Sequence, residues 1–213
     1  MLMEIIVFSG VDELDALGPL EVLRRAAAAG ANFQVRLVTL DNTADVVGGQ
    51  GLRFGVDGTL GSMGRPDLLL IPGGGWVARA AQGAWAQAQQ GAIPAAIAKA
   101  YREGTILASV CTGGMLVAAA GLLRGRRATT HHEALAELRK AGAEVVSTRV
   151  VDDGDIISSG GITSGIDLAL YLVERFATRV LAEQVAGNLE YERRAPVHAA
   201  AARAQSAQVH TTR

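Results

Sequence analysis

The chain has 213 residues, of which 49% are apolar and 19% charged, and its formal net charge is −1. The near-neutral balance and scattered basic residues argue against a nucleic-acid or anionic-membrane surface, and no apolar run reaches the roughly 20 residues of a membrane span. The single cysteine excludes an internal disulfide and a cysteine-based zinc site. We expect a cytoplasmic protein with one domain over residues 1–194 and a flexible tail over residues 195–213.

Strand and helix patterns alternate through the first part of the chain. Continuous apolar runs predict buried strands at Glu4–Phe8 and Leu68–Pro72, and Phe33–Leu40 alternates as a strand does. Apolar residues at helical spacing predict a helix over Pro19–Ala29, with the proline in the first turn, where its missing N–H costs nothing. The glycine-rich region at 48–58 predicts short strands or a hairpin.

The alternation continues after residue 90. The predicted helices are Pro94–Glu103, Cys111–Ala120, Glu133–Ala141, Ser164–Phe176 and Val180–Tyr191, and the predicted strands are Thr105–Val110, Ala128–Thr130, Glu144–Val151 and Ile156–Ser158. This order is typical of an α/β fold, in which a mostly parallel sheet carries helices on both faces. Ligands of such folds bind at the carboxyl ends of the strands, so residues that follow strands are the candidates for a site.

Cys111 directly follows the predicted strand Thr105–Val110 and precedes the sequence Thr112-Gly113-Gly114. This order of strand, nucleophile and helix is the order of the G-x-S-x-G elbow, although Ser109 stands in place of the first glycine. A thiol at a helix N-terminus lies beside unpaired N–H groups, which would lower its pKa from about 8.5. The alternative is a buried cysteine that acts as a small apolar filler. We favour the nucleophile.

A glycine cluster and an acid follow other predicted strands. The N–H groups of Gly74 and Gly75, together with that of Thr112, are candidates to face an anion beside Cys111. An ordinary tight turn is the alternative, and the absence of G-x-G-x-x-G argues against a dinucleotide site. Asp15 stands before a tight apolar segment, where a carboxyl can lie beside a thiol.

Two acids near Asp15 have a simpler explanation. Asp12 and Glu13 precede the predicted helix and fit the roles of helix cap and dipole partner. Trp76 follows the glycine cluster, and the sequence leaves open whether it lines a pocket or contacts solvent or a second subunit.

Four segments together resemble those of a known family. They are DALGPLEVL (Asp15–Leu23), LLLIPGGG (Leu68–Gly75), SVCTGG with AAGLLRGRRATTHH (Ser109–His132), and GGITSGIDLAL (Gly160–Leu170). On these segments the chain resembles the ThiJ/PfpI superfamily from about Glu4 to about Tyr191 and, within it, the isonitrile hydratase branch.

The resemblance implies a flavodoxin-like three-layer α/β sandwich of the class I glutamine amidotransferase type. It also implies a homodimer, a small-molecule substrate, and no metal or organic cofactor. By position, Cys111 matches the family nucleophile, Asp15 the neighbouring acid, and Thr112 the residue after the nucleophile. The hydratases convert an isonitrile to an N-substituted formamide, through a cysteine thioimidate on this interpretation.

A few positions distinguish the branches of this superfamily. Protease-like and deglycase-like members commonly carry histidine after the nucleophile and glutamate as the acid, where this chain has Thr112 and Asp15. Hydratase relatives usually carry Thr-Thr-His-Trp, and here His132 replaces the tryptophan, which changes the pocket. Because neighbouring residues of a strand point to opposite faces, we expect His131 and His132 to form no metal site. We interpret His131 as structural.

The leading hypothesis is therefore hydration of isonitriles or a related electrophile through Cys111. The same fold also forms the sensor half of AraC-type regulators, and the stretch after Tyr191 is too short for their helix-turn-helix module. A stand-alone ligand-binding sensor is the alternative. The third hypothesis is a redox or stress protein, in which Cys111 is oxidised and no substrate is turned over.

Overall fold

The computed structural model describes residues 1–194 and 197–199. Its strands are β1 (Leu2–Ile6), β2 (Gln34–Thr39), β3 (Asp45–Val47), β4 (Arg53–Gly55), β5 (Gly58–Thr59), β6 (Leu68–Ile71), β7 (Ile106–Ser109), β8 (Arg127–Ala128), β9 (Glu144–Val145), β10 (Val150–Asp152), β11 (Ile156–Ser159) and β12 (Val197–Ala199). Its α-helices are α1 (Glu13–Ala28), α2 (Ala84–Gln90), α3 (Ala92–Arg102), α4 (Gly113–Ala119), α5 (Leu135–Lys140), α6 (Ser164–Phe176) and α7 (Arg179–Asn188), and a 3₁₀ turn spans His132–Ala134.

The main sheet has eight strands in the order β12-β10-β11-β7-β6-β1-β2-β5. Every neighbouring pair in it is parallel except β10 with β11. Helices α1, α6 and α7 pack against one another, and α2, α3 and α4 form a second group. All side chains of the central strand β6 are fully buried, as expected for a strand covered on both faces. The predicted flavodoxin-like α/β arrangement is confirmed.

The first helix differs from its prediction because α1 begins at Glu13 and places Pro19 inside the helix. Asp12 caps it, since its side chain accepts the Leu14 N–H at 3.2 Å. Glu13 instead reaches across to the glycine-rich loop, where its Oε1 accepts the N–H groups of Gln50 (2.8 Å) and Leu52 (3.2 Å). The cap prediction is confirmed for Asp12, and the predicted start at Pro19 is wrong.

Other predicted boundaries also shift. The single strand expected over Glu144–Val151 is two strands, β9 paired with β8 in a small ribbon and β10 in the main sheet. Helix α2 went unpredicted because AWAQAQQ lacks an apolar stripe at helical spacing. Within the expected tail, β12 pairs in parallel with β10, and residues 195, 196 and 200–213 lie outside the described residues. No helix in the described part of the chain is both long and apolar enough to cross a bilayer.

Candidate functional site

Cys111 occupies a strained turn between β7 and α4. Its φ is +54°, a left-handed value that non-glycine residues rarely adopt. The Cys111 N–H donates to the carbonyls of Ser159 (3.2 Å) and Gly160 (3.1 Å), and its own carbonyl accepts the Thr130 hydroxyl at 2.7 Å. The side chain is buried, with 6% of the residue exposed. The fold thus holds the cysteine in an elbow conformation, as the order of strand, nucleophile and helix predicts.

The turn that carries Cys111 lies against the turn that follows β6, with backbone against backbone. A Cβ on Gly113 would lie 1.9 Å from the carbonyl oxygen of Ile71, and a Cβ on Gly73 would lie 2.4 Å from the Thr112 hydroxyl oxygen. Real atoms cannot approach so closely, so both positions require glycine for space. The glycines beside the cysteine therefore bring two strand ends into contact.

Asp15 is fully buried beside this pair of turns. Its Oδ2 accepts the Gly73 N–H at 3.0 Å, whereas Oδ1 has no hydrogen-bond partner of normal geometry among the described residues. Burial, with the nearby Asp12 charge acting in the same direction, raises the pKa of Asp15 to about 8, although the Gly73 N–H opposes this shift. The Asp15 carboxyl also interacts with the Cys111 side chain. At neutral pH Asp15 therefore holds a proton, and because Oδ2 accepts from Gly73, Oδ1 is the oxygen left to carry it.

The thiol of Cys111 departs from the expected low pKa. Burial raises its pKa far above the usual value, and the Asp15 charge acts in the same direction. The Thr112 N–H opposes these effects but is outweighed. The expectation of a pKa lowered by the helix N-terminus is therefore wrong, because a short helix cannot offset a buried position beside carboxyl groups. The resting pair is a thiol beside a carboxylic acid.

Hydrogen bonds to neighbouring segments hold the glycine loop after β6 in place. The Gly74 N–H donates to the Thr112 hydroxyl at 3.0 Å, and the Gly74 carbonyl accepts the Ala84 N–H at 2.7 Å. The Gly83 N–H donates to the backbone carbonyl of Ser9 at 2.9 Å. The Gly74 N–H is thus already engaged, contrary to the expectation that it faces a developing anion. In the described part of the chain, the Gly75 N–H has no such partner.

Trp76 anchors this loop to helix α5. Its Nε1 donates to Glu137 at 3.1 Å, and Arg79 donates to the other oxygen of Glu137 at 2.8 Å. The Arg79 guanidinium also lies 3.9 Å from the ring centroid of Trp85, whose ring meets that of Trp76 edge to face. Trp76 is buried. It therefore packs inside the protein and fixes the loop beside the site. We call these four residues, Trp76, Arg79, Trp85 and Glu137, the loop clamp.

His131 and His132 do not lie on a strand. The predicted strand ends early, at Ala128, and His132 begins the 3₁₀ turn, so the two rings stack with centroids 4.3 Å apart. The expectation that they point to opposite faces is therefore wrong. Burial lowers the pKa of His131, and the neighbouring His132 charge lowers it further. Both rings line a cavity of about 490 Å³ that Thr130 and Gly160, the neighbours of the Cys111 backbone, also border.

The structure thus brings together three of the predicted residues, Cys111, Asp15 and Thr112. Sequence reasoning missed the Gly73 N–H, which orients Asp15, and the Thr112 hydroxyl, which binds Gly74. The LLLIPGG run pointed to this loop without showing which atoms the site uses. No sequence pattern predicted the loop clamp, because Glu137 is distant in sequence from Trp76 and Arg79, the two residues that donate to it.

Comparisons with known proteins identify the family of this chain. The sequence profile of the DJ-1/PfpI family matches residues 3–175. An isonitrile hydratase from Pseudomonas putida is 36% identical over 189 residues, which cover 87% of this chain and 76% of that protein. The HTH-type transcriptional regulator CdhR from Pseudomonas aeruginosa is 32% identical over 180 residues, which cover 84% of this chain and 50% of the regulator.

Solved structures agree with the sequence comparison. A THiJ/PfpI family protein from Pseudomonas syringae superposes with a TM-score of 0.76 at 27% identity, over 92% of this chain and 76% of that chain. DJ-1beta from Drosophila melanogaster superposes with a TM-score of 0.77 over 90% of this chain and 98% of that chain, and at 21% identity it shows the fold alone. The predicted ThiJ/PfpI resemblance is confirmed, and the chain belongs to the DJ-1/PfpI family.

Proposed function

We propose that this protein is an enzyme that hydrates isonitriles, R–N≡C, to N-substituted formamides through Cys111. The observation that carries the proposal is the buried pair of Cys111 and Asp15, in which the acid interacts with the thiol and has its pKa raised to about 8. The isonitrile hydratase relative, 36% identical over most of the chain, supports the choice of substrate class.

A protonated acid next to a thiol supplies the two groups that the hydration of an isonitrile needs. The terminal carbon of the isonitrile accepts both a nucleophile and a proton. The Cys111 sulfur and the Asp15 proton must therefore both reach that one carbon. In the first step the Cys111 sulfur bonds to this carbon, Asp15 gives its proton to the same carbon, and the thiol proton passes to Asp15. The product is the thioimidate R–N=CH–S–Cys111, and the active site keeps its net charge.

Water completes the reaction. Its oxygen adds to the thioimidate carbon and one of its protons reaches the nitrogen, which gives R–NH–CH(OH)–S–Cys111. The carbon–sulfur bond then breaks, the remaining hydroxyl proton returns to sulfur, and R–NH–CHO leaves. Asp15 relays these protons in the proposal. The N–H groups of Gly75 and Thr112 are the donors we assign to the oxygen of this intermediate, while Gly74 holds the loop through Thr112.

The test follows the loss of the isonitrile stretch by infrared spectroscopy and identifies the formamide by mass. Cyclohexyl and aryl isonitriles form the substrate panel. We expect turnover by the wild type, none by Cys111→Ala, and a loss of about 10²- to 10⁴-fold in Asp15→Asn. Circular dichroism of both variants checks that the fold is intact. Normal turnover by a folded Cys111→Ala protein would end this mechanism.

A second candidate is a stand-alone sensor that binds a small molecule without turning it over. The similarity to the regulator CdhR over 84% of this chain favours it. Saturable binding of the isonitriles by calorimetry, with no formamide formed, would support this candidate in place of the enzyme. Redox sensing is less favoured, because the raised pKa of Cys111 leaves little thiolate to react with peroxide.

The same proposal includes a cytoplasmic homodimer. The family resemblance supports the dimer, and size-exclusion chromatography with light scattering tests it. A mass twice that of one chain is expected, and a mass equal to one chain would contradict this part of the proposal.

A further inference from the structure

Three side chains with metal-binding atoms meet at the start of the 3₁₀ turn. One nitrogen of His131, one nitrogen of His132 and one carboxylate oxygen of Glu133 lie within 4.8 Å of one another. We call these residues the His-His-Glu cluster. Consecutive residues of a strand could not meet in this way because their side chains alternate between faces, so the cluster depends on the tight turn.

One member of the cluster is held in place and the other two are free to adjust. His131 caps the turn, since its Nδ1 accepts the Glu133 N–H at 3.4 Å, and its ring packs so closely against Gly161 that a Cβ there would lie 2.3 Å from His131 Cδ2. His132 and Glu133 are both exposed. The Glu133 carboxylate lies 3.7 Å from His131 Nδ1, whose lone pair would leave the Glu133 N–H to bind an ion. Because these two side chains are exposed, they have room to rotate toward His131 and close the cluster on an ion.

The cluster opens onto a cavity. His131 and His132 line the cavity of about 490 Å³, whose wall also carries the hydroxyl side chains of Thr130, Thr163 and Ser164. The one arginine of that wall, Arg149, is paired with Asp167 at 2.6 Å, so its charge is compensated. An ion held by the cluster would thus have coordination positions that face a space wide enough for water or a small ligand.

We propose that His131, His132 and Glu133 bind a divalent transition-metal ion of the zinc class at the mouth of this cavity. Two imidazoles and one carboxylate are a donor set that Zn²⁺ prefers, at distances of about 2.0–2.2 Å. Three protein ligands leave a fourth position to water or a ligand from the cavity, which is the arrangement of an open zinc site. Mg²⁺ and Ca²⁺ prefer oxygen donors and are expected to bind much more weakly.

The experiment titrates chelator-stripped full-length protein with ZnCl₂ by calorimetry and counts bound metal after dialysis. One Zn²⁺ per chain is expected for the wild type. Substitutions His132→Ala and Glu133→Gln each remove one ligand from an exposed position and should weaken binding by about tenfold or more. Cobalt substitution adds a direct readout, because visible d–d bands of a bound Co²⁺ should disappear in the same two variants.

Controls separate the cluster from other ligands of the chain. Cys111→Ser removes the thiol, and His198→Ala and His210→Ala remove the remaining histidines, and all three variants should bind Zn²⁺ as the wild type does. Loss of binding in any of these controls, or unchanged binding in both cluster variants, would overturn the assignment. So would a wild-type protein that takes up no zinc. None of these results depends on isonitrile turnover, so the proposed activity and the zinc site stand or fall separately.

Discussion

Asp15 Oδ2 accepts the backbone N–H of Gly73 at 3.0 Å, so the acid is oriented by the turn that also packs against Cys111. This bond uses one carboxyl oxygen and leaves the other as the site of protonation. Since burial raises the pKa of Asp15 to about 8, the protein keeps a neutral acid next to a neutral thiol under ordinary conditions.

The pH dependence of turnover should follow Asp15. If the protonated acid supplies the proton to carbon, kcat/KM is constant below pH 7 and falls as the pH rises through about 8, where Asp15 ionises. Isonitriles of the panel carry no titrating group, so the profile reports the enzyme. Stopped-flow infrared measurements between pH 6 and 10 test this. A rate that climbs with pH above 8 would instead identify the thiolate as the reacting form.

The free energy of unfolding should also carry the signature of Asp15. The folded-state pKa of about 8 lies above the ordinary value of 3.8, so the folded state retains a proton that the unfolded state has lost. This stabilising contribution is complete at low pH and is lost as the pH rises toward 8, by at most about 1.4 kcal/mol per pH unit.

Asp15→Asn is the matched control for that effect because asparagine does not titrate. Urea unfolding of both proteins at several pH values between 5 and 8 should show the wild type losing stability relative to the variant as the pH increases. Parallel curves for the two proteins would mean that Asp15 is ionised in the folded state and that the neutral pair does not exist.

Gly113 should not tolerate even one methyl group. A Cβ there would lie 1.9 Å from the Ile71 carbonyl oxygen, so Gly113→Ala must separate the two turns and should cost about 3 kcal/mol or more. Gly187 in α7 is the control, because a Cβ there meets nothing within 4 Å. Gly187→Ala should raise the free energy of unfolding by about 0.5–1 kcal/mol. Equal effects of the two substitutions would contradict the close contact.

Arg79 tests the loop clamp. Arg79→Ala removes the contact with the Trp85 ring and the bond to Glu137, and should lower the free energy of unfolding by about 1–2 kcal/mol. Arg79 has a φ of +50°, so Arg79→Gly removes the same contacts while relieving backbone strain of about 1 kcal/mol. The glycine variant should therefore be the more stable of the two. The reverse order in chemical denaturation would show that the strained backbone is not maintained by the clamp.

The sequence allowed the fold and the central residues of the site to be predicted for local reasons. Apolar runs followed by glycines mark β6 and β7, and the position of Cys111 after a strand predicts the elbow. The low thiol pKa was a wrong prediction because it considered only the adjacent helix. Burial and the Asp15 carboxyl raise the thiol pKa instead. Both effects come from tertiary packing, so the residues next to Cys111 in the sequence do not reveal them.

The histidine pair illustrates the same limit at shorter range. His131 and His132 share one side of the chain because the strand ends at Ala128 and a 3₁₀ turn follows. Periodicity places an element boundary only to within a few residues, and here a shift of a few residues decides whether two side chains meet. Pro19 is a comparable case, since Asp12 starts the helix earlier than the proline indicates.

The first turn of α1 joins the candidate site to the glycine-rich loop at residues 48–52. Asp15 faces Cys111, while Glu13 of the same turn accepts the N–H groups of Gln50 and Leu52. If a substrate reacts with Cys111 as proposed, any movement of this turn strains or releases those two bonds. The amides of Gln50 and Leu52 are therefore natural reporters, and their hydrogen–deuterium exchange should register occupancy of a site that neither residue touches.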